Sequence, residues 1–286
     1  MRDFMKSLPF FLIILTPALL FSQDSLEKKN LLVREDYDYP AAMKKVASQF
    51  KGKTGVYLHL GDSLTYANPY TAWARGGKDH SDEVKKFLNW SHAGKKNDSD
   101  GYYLASVDAP SGNRSETAAS GLRADELLSG AKGLPRLKEI LQKYQPQMIV
   151  YMLGTNDLLR GRETAQYVLD VEKAIDTILA QGTVVILSTL PPIQGKTKQV
   201  EEYNKALREL AKKKQIPLID LYAEMKARVG DDFEKAYLSE DGIHLNGNHS
   251  NGPATEDHLK NGGYLLRGYL SIHKGMEVKS KVFDKK

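Results

Sequence analysis

Residues 56–66 read VYLHLGDSLTY. Val56, Leu58 and Leu60 alternate with Tyr57 and His59, which is the pattern of a strand buried in a sheet. Gly61-Asp62 breaks the strand, and Ser63 stands just past its end. A serine at the C-terminal edge of a strand, two residues after a glycine, suits a nucleophile. The glycine lets the backbone turn sharply, and the hydroxyl faces the crevice at the end of a sheet. The same letters also fit an ordinary strand followed by a Ser-Asp turn, so the rest of the chain has to separate the two readings.

Downstream, apolar runs alternate with helical patterns. Gln147–Leu153 is a near-continuous apolar strand ending in Gly154-Thr155-Asn156-Asp157, Thr183–Leu190 is another, and Ile216–Leu221 a third. Between them lie helical stretches at Ala124–Tyr144, Glu163–Gln181 and Gln199–Lys214, the first broken by Gly130, Gly133 and Pro135. Strands and helices in this rhythm are βαβ units, which build a parallel sheet covered on both faces. Ser115–Ala119 is a short candidate strand ahead of Gly121, and Asp24–Phe50 is charged and helix-prone. Thr255–Ile272 is a last helix interrupted at Asn261-Gly262-Gly263.

The chain has 286 residues with 41 Lys+Arg against 36 Asp+Glu, a mild and scattered basic excess that does not suggest a nucleic-acid partner. Its 41% hydrophobic content is ample for one sizeable core. Met1–Ser22 has the form of a secretory signal: Arg2 and Lys6, then an apolar run over Leu8–Phe21, then a small residue. Pro9 and Pro17 and its short length make it a poor membrane span. There are no cysteines, hence no disulfide, no thiol nucleophile, no thiolate metal site and no cysteine for lipid attachment. The expectation is a secreted or periplasmic protein without stable membrane insertion. A globular domain runs over 23–274, with a basic tail at 275–286 read as a frayed end.

Thr71–Arg114 stands apart. It is polar, with Phe87, Trp73, Trp90, Tyr102 and Tyr103 scattered among Gly, Lys, Asp and His, and only Asp82–Leu88 reads as helical. A long segment without strong elements between two strands is often functional. It is expected to form a wall over the site, with Trp73, Trp90 and Tyr102 as candidates to stack on sugar rings. The alternative is that these rings form a small cluster pinning the loop.

A serine nucleophile needs a base, and the base needs a group to fix its tautomer. Asp241 and His244 lie three residues apart in a Gly-containing turn, which lets a carboxylate fold back on the imidazole. The developing oxyanion needs donors: the Ser63 N–H, an N–H from a tight Gly turn and a side-chain amide. Gly121 and Asn156 each stand just past a predicted strand, and parallel strands end on one edge of the sheet. His80, His92, His249 and His258 lack ligand spacing with a carboxylate partner, so no metal and no cofactor is expected. His59 reads as a core residue, and Asp62 and Asp157 as carboxylates that hold loop backbones.

Gly61-Asp62-Ser63-Leu64, Gly121, Gly154-Thr155-Asn156-Asp157 and Asp241-Gly242-Ile243-His244 together resemble the four blocks of the SGNH (GDSL-type) hydrolase family, in the family's order. The second block is the loosest, with Ala118 and Ala119 where the family often has Asn and Gly; Gly112 is the fallback for Gly121. The resemblance implies a flavodoxin-like three-layer α/β/α sandwich with a parallel sheet, and an esterase. It implies Ser63 as nucleophile, His244 as base, Asp241 as its orienter, and Ser63, Gly121 and Asn156 as the oxyanion hole. The leading expectation is an exported serine esterase removing small acyl groups, acetyl above all, from carbohydrate. The alternatives are a lysophospholipase-like lipid esterase, and a carbohydrate-binding protein that kept the fold without catalysis. The sequence is silent on oligomeric state.

Overall fold

A computed structural model describes residues 30–112 and 114–284. The signal-like stretch 1–22 lies outside the described residues. The first strand, β1 (Lys53–Gly61), is buried from Gly55 onward with no exposed face. β2 (Pro146–Met152), β3 (Val184–Ser188) and the two-residue β4 (Leu218–Ile219) follow, and all three are fully or nearly buried. The four strands are parallel, in spatial order β1-β2-β3-β4, with Leu58 beside Ile149, Met148 beside Val184 and Leu187 beside Leu218. Both faces are covered, which is why these strands read as apolar runs.

On the free side of β1 a single parallel bridge joins Gly61 to Ala118. This bridge is all that remains of the strand expected at Ser115–Ala119. Ser115 Oγ takes the N–H groups of Thr117 and Ala118 at 3.3 and 2.9 Å, so local side-chain bonds replace a ladder. Counting the bridge as an outer strand gives the chain order 2-1-3-4-5. The winding therefore reverses between β1 and β2, the place where doubly wound sheets open a crevice.

On one side of the sheet lie Thr164–Leu179, Thr197–Lys214, Ala124–Ser129 and Leu137–Tyr144, with Thr164–Leu179 touching the other three. Tyr167, Val171, Ala174, Ile175 and Ile178 form its inward stripe. Gly263–Val278 packs on Asn68–Gly76, Asp82–Trp90, Glu256–Leu259 and β4. The expected break at Asn261–Gly263 is present: Glu256–Leu259 ends just before it, and the long helix starts at Gly263.

Several expectations are corrected. β4 is shorter than Ile216–Leu221, because the Asp220 side chain accepts from Ala223 N at 3.2 Å and starts a helix at Leu221. Of Asp24–Phe50, the helix among the described residues is Pro40–Ala47, entered at a proline. The segment 71–114 carries more helix than expected, in Asn68–Gly76, Asp82–Trp90 and Gly101–Leu104, the last two capped by Ser81 and Asp100. It is pressed onto β1, and a methyl group at Gly101 would fall 1.8 Å from Tyr57 O. The basic tail is not frayed up to residue 283. Val278 and Val282 are buried there, and just before it Lys274 is buried and paired with Glu35 and Glu277 at 3.0 and 3.3 Å.

Candidate active site

β1 delivers the site's first residue. At its end Asp62 is wholly buried and its Oδ1 accepts from Leu64 N at 3.0 Å, capping the short helix Ser63–Tyr66. Ser63 is thereby the first helical residue. Beneath it, buried Arg267 donates to Leu64 O at 2.6 Å and to Thr65 Oγ1 at 2.7 Å, and its guanidinium lies 3.7 Å over the Tyr70 ring. Sequence reading missed Arg267. Its signal was a lone cation inside an apolar helical run, Tyr264–Leu270.

The second contribution comes from the loop after Leu238. Leu238 and Leu245 form an antiparallel bridge, and Ser239 N donates to His244 O at 2.8 Å, so the intervening residues close a tight turn. Inside it Asp241 Oδ1 accepts from Ile243 N and His244 N, both at 2.9 Å, and from Ser239 Oγ at 2.8 Å. Asp241 Oδ2 meets His244 Nδ1 at 2.5 Å, and His244 Nε2 meets Ser63 Oγ at 2.9 Å. Burial opposes the Asp241 charge, but the bonds from His244, Ile243 and Ser239 outweigh it and hold its carboxyl well below the usual range. His244 and Asp241 keep 38% and 49% of their side-chain surface exposed, so the relay sits in an open setting.

β2 brings the amide. Asn156, in the helix Thr155–Leu159, donates through Nδ2 to Asp62 Oδ2 at 3.1 Å and to Leu122 O at 3.2 Å. Gly121, at φ +77°, precedes Leu122, and a side chain there would point into open space. The Gly61–Ala118 bridge places Gly121 at the same sheet edge as Ser63. Asp157 locks this loop. Its wholly buried carboxylate accepts from Ala124 N at 3.1 Å and from Arg162 Nη1 at 2.5 Å. Burial raises the Asp62 carboxyl to about 6, against the Leu64 N–H and the Arg267 charge. Asp62 and Asp157 thus hold backbone and partner side chains.

The rings expected at the site lie elsewhere. Trp73 and Tyr102 are each 2% exposed. Trp73 packs on Tyr269 and His80, and Tyr102 on Tyr57 and His59, so neither offers a face to the crevice. Trp90 is half-buried against Phe87 and Phe283. Their large apolar area is spent on the core, which corrects the stacking expectation. Among the described residues no three His, Asp or Glu side chains gather as a metal set. Also among them, no helix is long and apolar enough to cross a membrane.

Fold and site are those of a doubly wound α/β protein in which Ser63, His244 and Asp241 form one chain of hydrogen bonds at the switch point, with the Asn156 amide bonded to Asp62 beside them. Residues 59–248 match the GDSL-like lipase/acylhydrolase family, and the chain belongs to that family. Esterase TesA of Pseudomonas aeruginosa is 29% identical over 118 residues, which is 41% of this chain and 56% of that protein. The chain thus spans little more than half the length of this curated relative. A lipase/acylhydrolase from Enterococcus faecalis is similar at 22% identity and a TM-score of 0.48, over 80% of this chain and 98% of that one. The esterase EstA from Pseudoalteromonas is similar at 15% and 0.46, over 71% and 93%.

Proposed function

We propose that the protein is an exported serine esterase that hydrolyses small acyl esters through an acyl-enzyme, with acetyl groups on carbohydrate as its substrates. The observation that carries the esterase half is the relay: Ser63 Oγ to His244 Nε2 at 2.9 Å, and His244 Nδ1 to Asp241 Oδ2 at 2.5 Å. His244 takes the hydroxyl proton as Ser63 attacks the ester carbonyl, and Asp241 holds the imidazole in the tautomer that accepts it. The negative oxygen that forms is held by the N–H groups of Ser63 and Gly121 and by the Asn156 amide. Both protons of that amide have acceptors at rest, so the oxyanion draws one of them from Leu122 O or Asp62. His244 then gives its proton to the departing alkoxide, and water clears the acyl group by the same route.

The carbohydrate half is supported by the open setting of the relay and by the signal-like start of the chain. The large hydrophobic residues exposed among those described are Leu32, Leu159 and Leu169, which gives little apolar surface for a lipid substrate beside Ser63. The test is hydrolysis of p-nitrophenyl acetate by Ser63→Ala, with folding checked by circular dichroism. Loss of activity in a folded variant is expected, and full activity removes the mechanism. Acetylated xylan, lysophospholipid and the aryl ester, assayed side by side, decide the substrate. Acetate release from the glycan upholds the proposal, fatty-acid release replaces it with a lipid esterase, and glycan retention without hydrolysis replaces it with a binding protein.

A further inference from the structure

A cleft of about 410 Å³ opens between the helix Asn68–Gly76, the inserted segment at Tyr103 and Asp108, and the loop after His244 at Ser250 and Asn251. Its volume is in the lower range of small-molecule sites. Every residue that lines it is partly or fully exposed. None of Ser63, Asn156, Asp241 or His244 is among them, yet two of its walls continue from the relay. Ala67 N donates to Ser63 O at 3.1 Å, and the next two residues, Asn68 and Pro69, line the cleft. Gly247, three residues after His244, packs beside Pro69: a methyl group there would fall 3.7 Å from Pro69 Cγ.

The two charges in the lining cancel, since Arg75 Nη1 donates to Asp108 Oδ2 at 3.0 Å. The same guanidinium donates to Ser106 Oγ at 3.3 Å and to Asn68 O at 3.4 Å, and it lies 4.7 Å from the centre of the Tyr103 ring. With 11% of its side chain exposed, Arg75 is a support that fixes Asp108 and Tyr103 in place. Lys96 also stands over that ring, at 5.7 Å, so its π-surface is engaged by cations and its hydroxyl is what it offers a ligand. Among the described residues that hydroxyl has no hydrogen-bond partner and is not buried. Asp108 keeps 41% of its side chain exposed and leaves Oδ1 free, and the exposed Asn251 amide is free as well.

The free groups are thus one acceptor, Asp108 Oδ1, and two groups that both donate and accept. The free carboxylate oxygen repels an anion, and the paired Arg75 leaves no unmet negative charge to draw a cation. Hydroxyls on an uncharged body satisfy all three groups, and Pro69 and Ala72 supply apolar surface for the C–H face of a sugar ring.

We propose that this cleft holds an uncharged sugar unit of the substrate, next to the unit whose ester reaches Ser63, through hydrogen bonds to Asp108, Tyr103 and Asn251. The place of that unit in the substrate rests on the carbohydrate-esterase reading; the binding of a neutral saccharide does not.

Binding is measured by isothermal titration calorimetry on Ser63→Ala, so that no turnover intervenes, with the neutral xylotetraose, mannotetraose and cellotetraose and the anionic tetragalacturonate. Saturable binding of at least one neutral tetrasaccharide is expected, with tetragalacturonate about tenfold or more weaker. Tyr103→Phe keeps the ring against Arg75, and Asn251→Ala trims an exposed loop residue. Added to Ser63→Ala, each should weaken the neutral ligand about fivefold, the worth of one hydrogen bond, at an unchanged melting temperature. If one of them does not fold, the other decides. These losses without acetate release from acetylated glycan by the unaltered protein would uphold the cleft and refute the esterase reading. Acetate release with neither substitution affecting binding would do the reverse. No binding of any neutral tetrasaccharide, tetragalacturonate bound as tightly as the neutral ligands, or undiminished affinity in the folded variants would each overturn the proposal.

Discussion

Asp241→Asn is the sharpest probe of the relay, because it changes one interaction and spares the others. Asp241 Oδ1 holds the turn through Ile243 N, His244 N and Ser239 Oγ, at 2.9, 2.9 and 2.8 Å. An asparagine oxygen keeps all three, so the loop retains its shape. The fourth bond, Oδ2 to His244 Nδ1 at 2.5 Å, changes character. An NH₂ group now faces Nδ1 and favours the tautomer with its proton on Nε2. That tautomer offers Ser63 a donor where it needs an acceptor, and no charge remains to stabilise the imidazolium. The same change in a buried triad costs about 10⁴ in kcat. Here the pair is partly exposed, and water can assist the ring, so a loss of about 10²–10⁴ is expected. The assay is kcat for p-nitrophenyl acetate, with the folded state checked by near-ultraviolet circular dichroism. A folded variant within a few-fold of the unaltered protein would refute the role proposed for Asp241.

Asn156→Ala should lower kcat by about 10²–10³, the usual size for one oxyanion donor, and an unchanged kcat would assign the hole to other groups. Arg267→Met leaves Leu64 O and Thr65 Oγ1 without their buried donor; a loss of about 2–4 kcal/mol in urea unfolding is expected, and an unshifted midpoint would show that the arginine holds nothing. Asp100 is pushed up to about 6, chiefly by burial, whereas the unfolded chain titrates near 4. Between those values the unfolded state releases a proton that the folded state keeps, so this group takes stability away as pH rises from about 4 to 6. Asp100→Asn keeps the cap on Tyr102 N and Tyr103 N, so the melting temperature of the variant should gain on the unaltered protein across that window; parallel curves would contradict the burial effect.

Much of the arrangement is legible in the letters because it is local. The Gly61-Asp62-Ser63 break, the Gly154–Asp157 strand end and the Asp241–His244 turn each depend on a few adjacent residues. A parallel sheet then gathers strand ends on one edge whatever the distance along the chain. What escaped reading depends on which face a residue turns, and that is set by distant partners. Trp73 and Tyr102 look like free aromatics in a polar stretch, yet the helices that carry them lie on Gly263–Val278 and on β1. Asp220 ends β4 early through a cap that competes with the ladder. The residues 275–286 read as a frayed tail, yet Val278 and Val282 are buried, and Glu277 pairs there with Lys274.

The grip of Arg267 on Leu64 and Thr65 ties the two ends of the polypeptide together in time as well as in space. β1 emerges early from the ribosome, but the turn behind it is braced only when residue 267 follows, some two hundred positions later. His244 is also a late arrival. A chain stopped short of residue 267 therefore carries Ser63 without the brace behind it, and one stopped short of residue 244 also lacks the imidazole that meets its hydroxyl.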